Sequence, residues 1–256
     1  MATALVTGAS AGIGKTFCEQ LAERGDDLVV VARTTERLEE LKTDLESRFG
    51  IRVEVLTADL SERDQVQVVA DRLADATRPI DLLVNNAGYG LKRPFLRNDI
   101  EVEEHMLAVL VRAVMVLSHA AALAMRERGH GTIVNVSSVA GFMASGTYSA
   151  AKSWVTVFSE GLAGELKGTG VTVTALCPGF TRTEFHGRAA IDHGDLPGFM
   201  WLDADNVVRD ALADVDRGKV ISVPGRQYKL ISTALRSMPR PLVRQGRLAR
   251  THRPQK

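Results

Sequence analysis

The chain has 256 residues, 45% of them hydrophobic and 25% charged, and its 32 Lys and Arg nearly balance its 31 Asp and Glu. That suits one soluble domain with a sizeable core, while two distant cysteines (Cys18, Cys177) and six scattered histidines without C-x-x-C or H-E-x-x-H argue against a disulfide framework and a metal centre. No run approaches the roughly 18 uninterrupted apolar residues of a membrane span, and the N-terminus leads straight into a strand pattern, so a cytoplasmic protein is expected.

Ala4 to Thr7 reads as a short apolar strand, followed by Gly8-Ala9-Ser10-Ala11-Gly12-Ile13-Gly14 and a helix ending near Gly25. Strand, glycine turn and helix N-terminus together make an anion site. The glycines admit a pyrophosphate close to the backbone, and the exposed N–H groups and helix dipole favour its charge. Gly14-Lys15-Thr16 raises the P-loop as a rival, but that motif needs four residues between its glycines, and five separate Gly8 from Gly14. Asp27 to Val31 is the second strand and ends in Ala32-Arg33-Thr34, without the carboxylate that would hold the ribose 2′-hydroxyl of NAD. Arg33 is instead placed to pair with a 2′-phosphate, which points to NADP(H). The plainer alternative is an exposed arginine opening a helix over Thr34–Phe49.

Val53 to Thr57 is a third strand, closed by Ala58-Asp59-Leu60, and Ser61 with Asp64 resembles a capping box for a helix reaching Thr77. Asp59 either terminates the strand or meets an adenine amino group. Leu82 to Asn85 is a fourth strand, followed by Asn86-Ala87-Gly88. Glu101 to Arg128 reads as one long helix with an apolar stripe at Met106, Leu107, Leu110, Val111, Val114 and Leu117.

The β-branched run Ile133 to Val136 ends in Ser137 and Ser138, and after a short loop Tyr148 and Lys152 stand four residues apart on one face of a helix running to about Leu166. An ammonium beside a phenol is expected to pull the tyrosine pKa below its usual value of about 10. Such a tyrosine can pass a proton while a serine hydroxyl holds the reacting oxygen. By itself Y-x-x-x-K decorates many helix surfaces. Val171 to Leu176 is strand again, then Cys177-Pro178-Gly179-Phe180-Thr181-Arg182-Thr183; Asp203 caps a helix to Arg217, and Val220 to Val223 is the last strand.

Strands alternating with helices imply an α/β fold: a single doubly wound Rossmann-type domain with a parallel sheet of about seven strands and helices on both faces. Ligands in such sheets bind beyond the carboxyl ends of the strands. Gly8–Gly14, Asn85–Gly88, Ser138 and Pro178–Thr183 all follow strand ends and so share one edge.

These residues resemble the short-chain dehydrogenase/reductase family over residues 3–225. The matching motifs are T-G-x-x-x-G-x-G at Thr7–Gly14, Asp59, N-N-A-G at Asn85–Gly88, Ser138, Y-x-x-x-K at Tyr148–Lys152 and P-G-x-x-x-T at Pro178–Thr183, in that order. The resemblance implies that Tyr148 is the general acid/base, that Lys152 lowers its pKa and holds the nicotinamide ribose, and that Ser138 positions the carbonyl oxygen. For the cofactor it implies Gly8, Ser10, Gly12, Ile13, Gly14, Arg33, Asp59, Leu60, Asn86, Ala87, Gly88, Pro178, Gly179, Thr181 and Thr183, besides Tyr148 and Lys152, with Asn85 in support. Ala32-Arg33 is similar to NADP-preferring members, and a homodimer or homotetramer is implied. Two departures stand out. The short loop from Ser138 to Tyr148 leaves Ser137 a rival to the favoured Ser138. The long helix lacks the asparagine that the family carries near Leu110; none occurs between Asp99 and Thr132.

Glu184 to Ala204 is expected to be a substrate loop, with Phe185, Ile191, Leu196, Phe199, Met200, Trp201 and Leu202. With Tyr89, Leu91, Phe95, Phe142 and Met143 it would line an apolar pocket for a lipid-, steroid- or polyketide-like carbonyl, or simply pack the loop onto the body. Residues 226–256 carry no acidic residue and form a basic amphipathic extension, suited to an anionic membrane surface, an acidic partner or plain solvent. Nucleic-acid binding is disfavoured, since the tail has no aromatic beyond Tyr228. The reading is an NADPH-dependent reductase of a small apolar carbonyl, reversible as an alcohol dehydrogenase. A cofactor-binding regulatory or scaffold protein, impaired at Leu110, is the alternative.

Overall fold

A computed structural model describes residues 2–183 and 197–237. Seven parallel strands form one sheet: β1 (Thr3–Thr7), β2 (Asp27–Ala32), β3 (Val53–Thr57), β4 (Leu82–Asn85), β5 (Gly131–Val136), β6 (Val171–Leu176) and β9 (Ile221–Ser222). Their order is β3-β2-β1-β4-β5-β6-β9, so the chain reverses direction across the sheet between β1 and β4. Two short strands, β7 (Thr181–Arg182) and β8 (Leu202–Asp203), pair separately beyond the end of β6.

Both faces of the sheet are covered because its strands are apolar on both. Ala4 and Val6 of β1 pack under helices α1 (Gly12–Glu23) and α2 (Thr35–Phe49), whereas Leu5 between them faces α3 (Arg63–Ala74) and α5 (Val114–Arg128). Helix α6 (Gly146–Glu165) joins the second layer and α7 (Ala204–Asp216) the first. Each fully buried Leu or Val contributes about 1.5–3 kcal/mol, against at most about 1 kcal/mol for an exposed ion pair. The two apolar layers therefore hold the fold. Asp203 caps α7, accepting from the Asp205 and Asn206 N–H groups at 3.0 and 3.4 Å.

Two local expectations are corrected. The Ser61/Asp64 capping box does not form: α3 starts at Arg63, and the Ser61 hydroxyl donates to Asp59 Oδ1 at 2.8 Å. Glu62 takes the N-cap position, so Ser61 lies one residue outside the helix and is held by the Asp59 carboxylate two residues back. The long helix is continuous from α4 (Ile100–Leu107) to α5 but passes through a π-helical turn, Ala108–Ala113, centred on the Leu110 region. The wider turn splits the expected stripe. Met106 and Leu110 face a small cluster with Ala151, Leu117 faces the sheet, and Leu107 is exposed. By length and composition the span Ile100–Arg128 would cross a membrane, but 56% of its most apolar window is buried inside the molecule.

The basic extension begins as a further helix, α8 (Arg226–Ser237), with Tyr228 and Ser232 buried against the body and Leu230 exposed. Residues 238–256 and 184–196, with Phe185, Ile191 and Leu196, lie outside the described residues.

Candidate active site

The switch between β1 and β4 is stitched by Thr7, whose Oγ1 accepts from the Asn86 and Ala87 N–H groups at 2.9 and 3.0 Å. Asn86 returns the bond through Nδ2 to the Thr7 carbonyl at 2.9 Å. The glycine turn is thereby pressed against Asn86-Ala87-Gly88. A Cβ on Gly14 would lie 2.3 Å from the Gly8 carbonyl oxygen and 2.4 Å from Asn86 Nδ2, so no larger residue fits there. Ser10 lies in the same turn and Ile13 in the first turn of α1, and Ala11 supplies no side-chain cap to that helix. Backbone N–H groups and a helix N-terminus without a first-turn carboxylate fit a diphosphate. Thr183 closes this cradle: a Cβ on Gly12 would stand 3.1 Å from Thr183 Cβ.

Along the same edge, Arg33 at the end of β2 is 71% exposed and 3.9 Å from Asp59 at the end of β3. Partial burial by itself would raise the Asp59 pKa, but the N–H and hydroxyl of Ser61 and the Arg33 charge outweigh it and hold the carboxyl below its usual range. An exposed guanidinium beside an ordered carboxylate fits an adenosine carrying a 2′-phosphate. Leu60, just beyond, is buried. Asn85 turns away from this edge: its Nδ2 donates to Asn135 Oδ1 at 2.9 Å and Ser118 Oγ at 3.1 Å, and Asn135 Nδ2 donates to Ser159 Oγ at 3.0 Å. Ser118, Asn135 and Ser159 belong to none of the sequence motifs. An asparagine inside the β-branched run of β5 was the available signal.

The two serines at the end of β5 part company. Ser137 is buried, donates to the Lys152 carbonyl at 2.7 Å and lies 2.8 Å from Thr156 Oγ1. Ser138 caps a 3-10 turn, Val139–Phe142, by accepting from the Ala140 N–H at 3.1 Å, and its hydroxyl acts on the Tyr148 phenol to lower its pKa. Gly141 makes this approach feasible, since a Cβ there would stand 2.8 Å from the Lys152 carbonyl carbon. Lys152 is buried, with Nζ donating to the Val136 carbonyl at 2.7 Å and 5.8 Å from the Tyr148 ring centre.

The electrostatics differ from the expectation of a depressed tyrosine. Burial pushes the Tyr148 phenol up to about 12, with the Ser138 hydroxyl opposing it, and burial pulls the Lys152 ammonium down to about 8. Desolvation disfavours both charged forms and exceeds the pull of the ammonium on the phenol. Beside them, Met106, Leu110 and Ala151 form an apolar cluster with Tyr89, Leu91 and Tyr148. Leu110 fills the space next to Gly88, where an added Cβ would lie 2.7 Å from its Cδ2. Phe95 and Phe199 are more than half exposed. Pro178, Gly179 and Thr181 follow β6, and the Pro178 carbonyl is 3.5 Å from Ser138 Oγ.

The short chain dehydrogenase family model matches residues 2–193. The chain belongs to the short-chain dehydrogenase/reductase family. As a family member it is an oxidoreductase. Sulfoacetaldehyde reductase 2 of Chromohalobacter salexigens is 36% identical over 187 residues, 71% of this chain and 73% of that protein. A short-chain dehydrogenase from Sphingobium yanoikuyae, solved in complex with NADPH, shares 37% identity with a TM-score of 0.85, over 92% of this chain and 94% of that one. The bulky-bulky ketone specific alcohol dehydrogenase from Comamonas testosteroni shares 32% identity with a TM-score of 0.80, over 92% of both.

Proposed function

We propose that this NADP(H)-dependent oxidoreductase interconverts an apolar ketone and its secondary alcohol. The observation that carries the reading is the Tyr148 phenol packed against the apolar cluster of Tyr89, Leu91, Met106 and Leu110, with Ser138 acting on it and Lys152 beside its ring. Arg33 supports the phosphorylated cofactor, as does the NADPH held by the Sphingobium yanoikuyae relative. The bulky ketones of the Comamonas testosteroni enzyme support the apolar substrate.

The glycine turn, Arg33 and Asp59 would hold NADPH, which when bound would supply a hydride for the carbonyl carbon. Ser138 donates its hydroxyl hydrogen to the carbonyl oxygen and holds it in line with the phenol. Tyr148, protonated throughout the neutral range, delivers its proton as negative charge develops on that oxygen. The Lys152 ammonium lowers the cost of the phenolate left behind. Alcohol oxidation runs the same steps backwards.

A panel of aryl, alicyclic and long-chain ketones with NADPH, and their alcohols with NADP⁺, tests the reading. Tyr148→Phe is expected to lower turnover by about a hundredfold or more while NADPH affinity stays within about twofold. Near-normal turnover in that variant removes Tyr148 as proton donor. The reading places the protein in the cytoplasm as a homo-oligomer. Met115, Leu123 and Val157, exposed on α5 and α6, and a cleft of about 530 Å³ along Ser149, Ser153 and Trp154 support self-association. Light scattering would test this, a monomer at micromolar concentration refuting it.

A further inference from the structure

We propose that Tyr228 is a positioning residue that fixes the β7–β8 ribbon, and with it the Thr181–Thr183 edge of the cofactor cradle, to helix α8. Tyr228 is 1% exposed although it stands in a basic tail. Its ring lies directly on Gly179, where an added Cβ would be 2.1 Å from Cε2 and 2.2 Å from Cζ, so a side chain at position 179 would expel it. The phenol oxygen bridges two segments far apart in the chain. It accepts from the Phe180 N–H at 3.1 Å and donates to the Met200 carbonyl at 2.6 Å.

Those two contacts sit at one end of the ribbon. Leu202 N–H donates to the Phe180 carbonyl at 2.7 Å, and the register continues as Thr181 opposite Leu202 and Arg182 opposite Asp203. The next residue, Thr183, is the one packed against Gly12 of the glycine turn. A ribbon of two residue pairs is too short to keep its own register in water. It needs an external anchor, and the phenol binds the residues that lead into both of its strands at once. Burial raises the Tyr228 pKa, with the Phe180 N–H opposing it, so the hydroxyl keeps the proton it donates. The helix carrying it is tied down at its other end as well, with Arg236 3.5 Å from Glu160 and 5.7 Å over the Phe142 ring. Helix α8 thus links the cofactor edge to the turn that bears Ser138.

The inference rests on the cofactor site and not on the identity of the carbonyl substrate, so its test uses NADPH. Tyr228→Phe keeps the ring on Gly179 and removes both phenol bonds. Expected is about tenfold weaker NADPH binding, the worth of one net hydrogen bond, read from cofactor fluorescence. KM for NADPH should rise in step while kcat, on whichever ketone the panel yields, stays within about threefold. Leu230→Ser, on the exposed side of the same helix, should leave the Kd unchanged. A lowered melting temperature with an unchanged Kd would make Tyr228 a packing residue and overturn the proposal, and so would equal weakening by Leu230→Ser. Hydrogen exchange on the unmutated protein decides the matter even if Tyr228→Phe does not fold. Without NADPH the Phe180 amide should already be protected, and exchange at the rate of an open loop would refute the anchor.

Discussion

Burial moves the two ionisable groups of the site in opposite senses, Lys152 down to about 8 and Tyr148 up to about 12, and this sets a pH dependence. In the reductive direction Tyr148 must hold its proton and Lys152 its charge. The phenol does so throughout the neutral range, whereas the ammonium is lost first. We predict that kcat/KM for ketone reduction falls as pH rises through about 8; a profile flat to pH 10 would remove the role given to the Lys152 charge. Stability has the opposite slope. Between about 8 and the ordinary lysine value of 10.5, the unfolded chain keeps a proton that the folded chain has shed, so this residue adds stability as pH rises across that window. Leu110 raises a second question at the same scale, because the family's asparagine would present an amide where leucine presents packing. Leu110 is fully buried among Met106, Ala151 and Tyr148, and Ser138, Tyr148 and Lys152 are all present without the asparagine. Leu110→Asn should therefore change turnover by less than about tenfold, or about 1.4 kcal/mol of barrier, and lower the melting temperature as an amide enters an apolar cluster. A hundredfold rise in turnover would instead mark the natural chain as an impaired enzyme.

Four elements meet at a buried polar knot: Asn85 of β4, Asn135 of β5, Ser118 of α5 and Ser159 of α6. Ser118, Asn135 and Ser159 have essentially no exposure, and Asn85 has little, so each bond replaces water that cannot enter. The knot ties α5 and α6 to the adjacent strands β4 and β5, whose spacing the backbone ladder already sets. Asn135→Leu removes an acceptor from Asn85 and Ser118 and a donor from Ser159. At about 1–3 kcal/mol for a buried group left without its partner, a loss of about 2 kcal/mol is expected in urea unfolding. A loss below about 0.5 kcal/mol would be the cost of an ordinary surface change and would show the knot to be dispensable. The α4–α5 helix makes a related point about elements. Its apolar periodicity continues through Leu110, but the π turn redistributes which residues meet the sheet and which meet the pocket.

At the scale of the molecule, the glycine turn, Arg33, Asp59 and Thr183 come from separate parts of the chain and are assembled only by folding, so the cofactor should stabilise the fold as a whole. At a hundred times its Kd, NADPH contributes about 2.7 kcal/mol. For a domain of this size that is a rise in Tm of about 5–11 °C. NADH should give a smaller rise at equal concentration. Arg33→Ala should narrow the difference by about 1–3 kcal/mol, the range of charge-assisted bonds, nearer the lower limit because Arg33 is 71% exposed. Equal shifts by the two cofactors in the unmutated protein would remove Arg33 as the discriminating residue.

The β-α alternation, the parallel sheet and the shared edge of Gly8–Gly14, Asn85–Gly88 and Ser138 were legible along the chain, because strand ends, glycine turns and helix starts are local signals. Gly8–Gly14, Asn86–Gly88, Tyr148 and Lys152 are recognisable for the same reason, each motif being a few residues of one turn or one helix face. Which serine reaches Tyr148 depended instead on how β5 meets α6: Ser137 is drawn inward by the Lys152 carbonyl, and the turn admitted by Gly141 carries Ser138 outward. The pKa values of Tyr148 and Lys152 needed the packing as well, since i, i+4 spacing reports the proximity of two groups but not how much water either has lost. Tyr228 is the extreme case. In a basic tail it is one aromatic with no pattern around it, and only the fold lays it on Gly179 between Phe180 and Met200. Local chemistry can be read along the chain, whereas burial and contacts between distant segments are properties of the packed molecule.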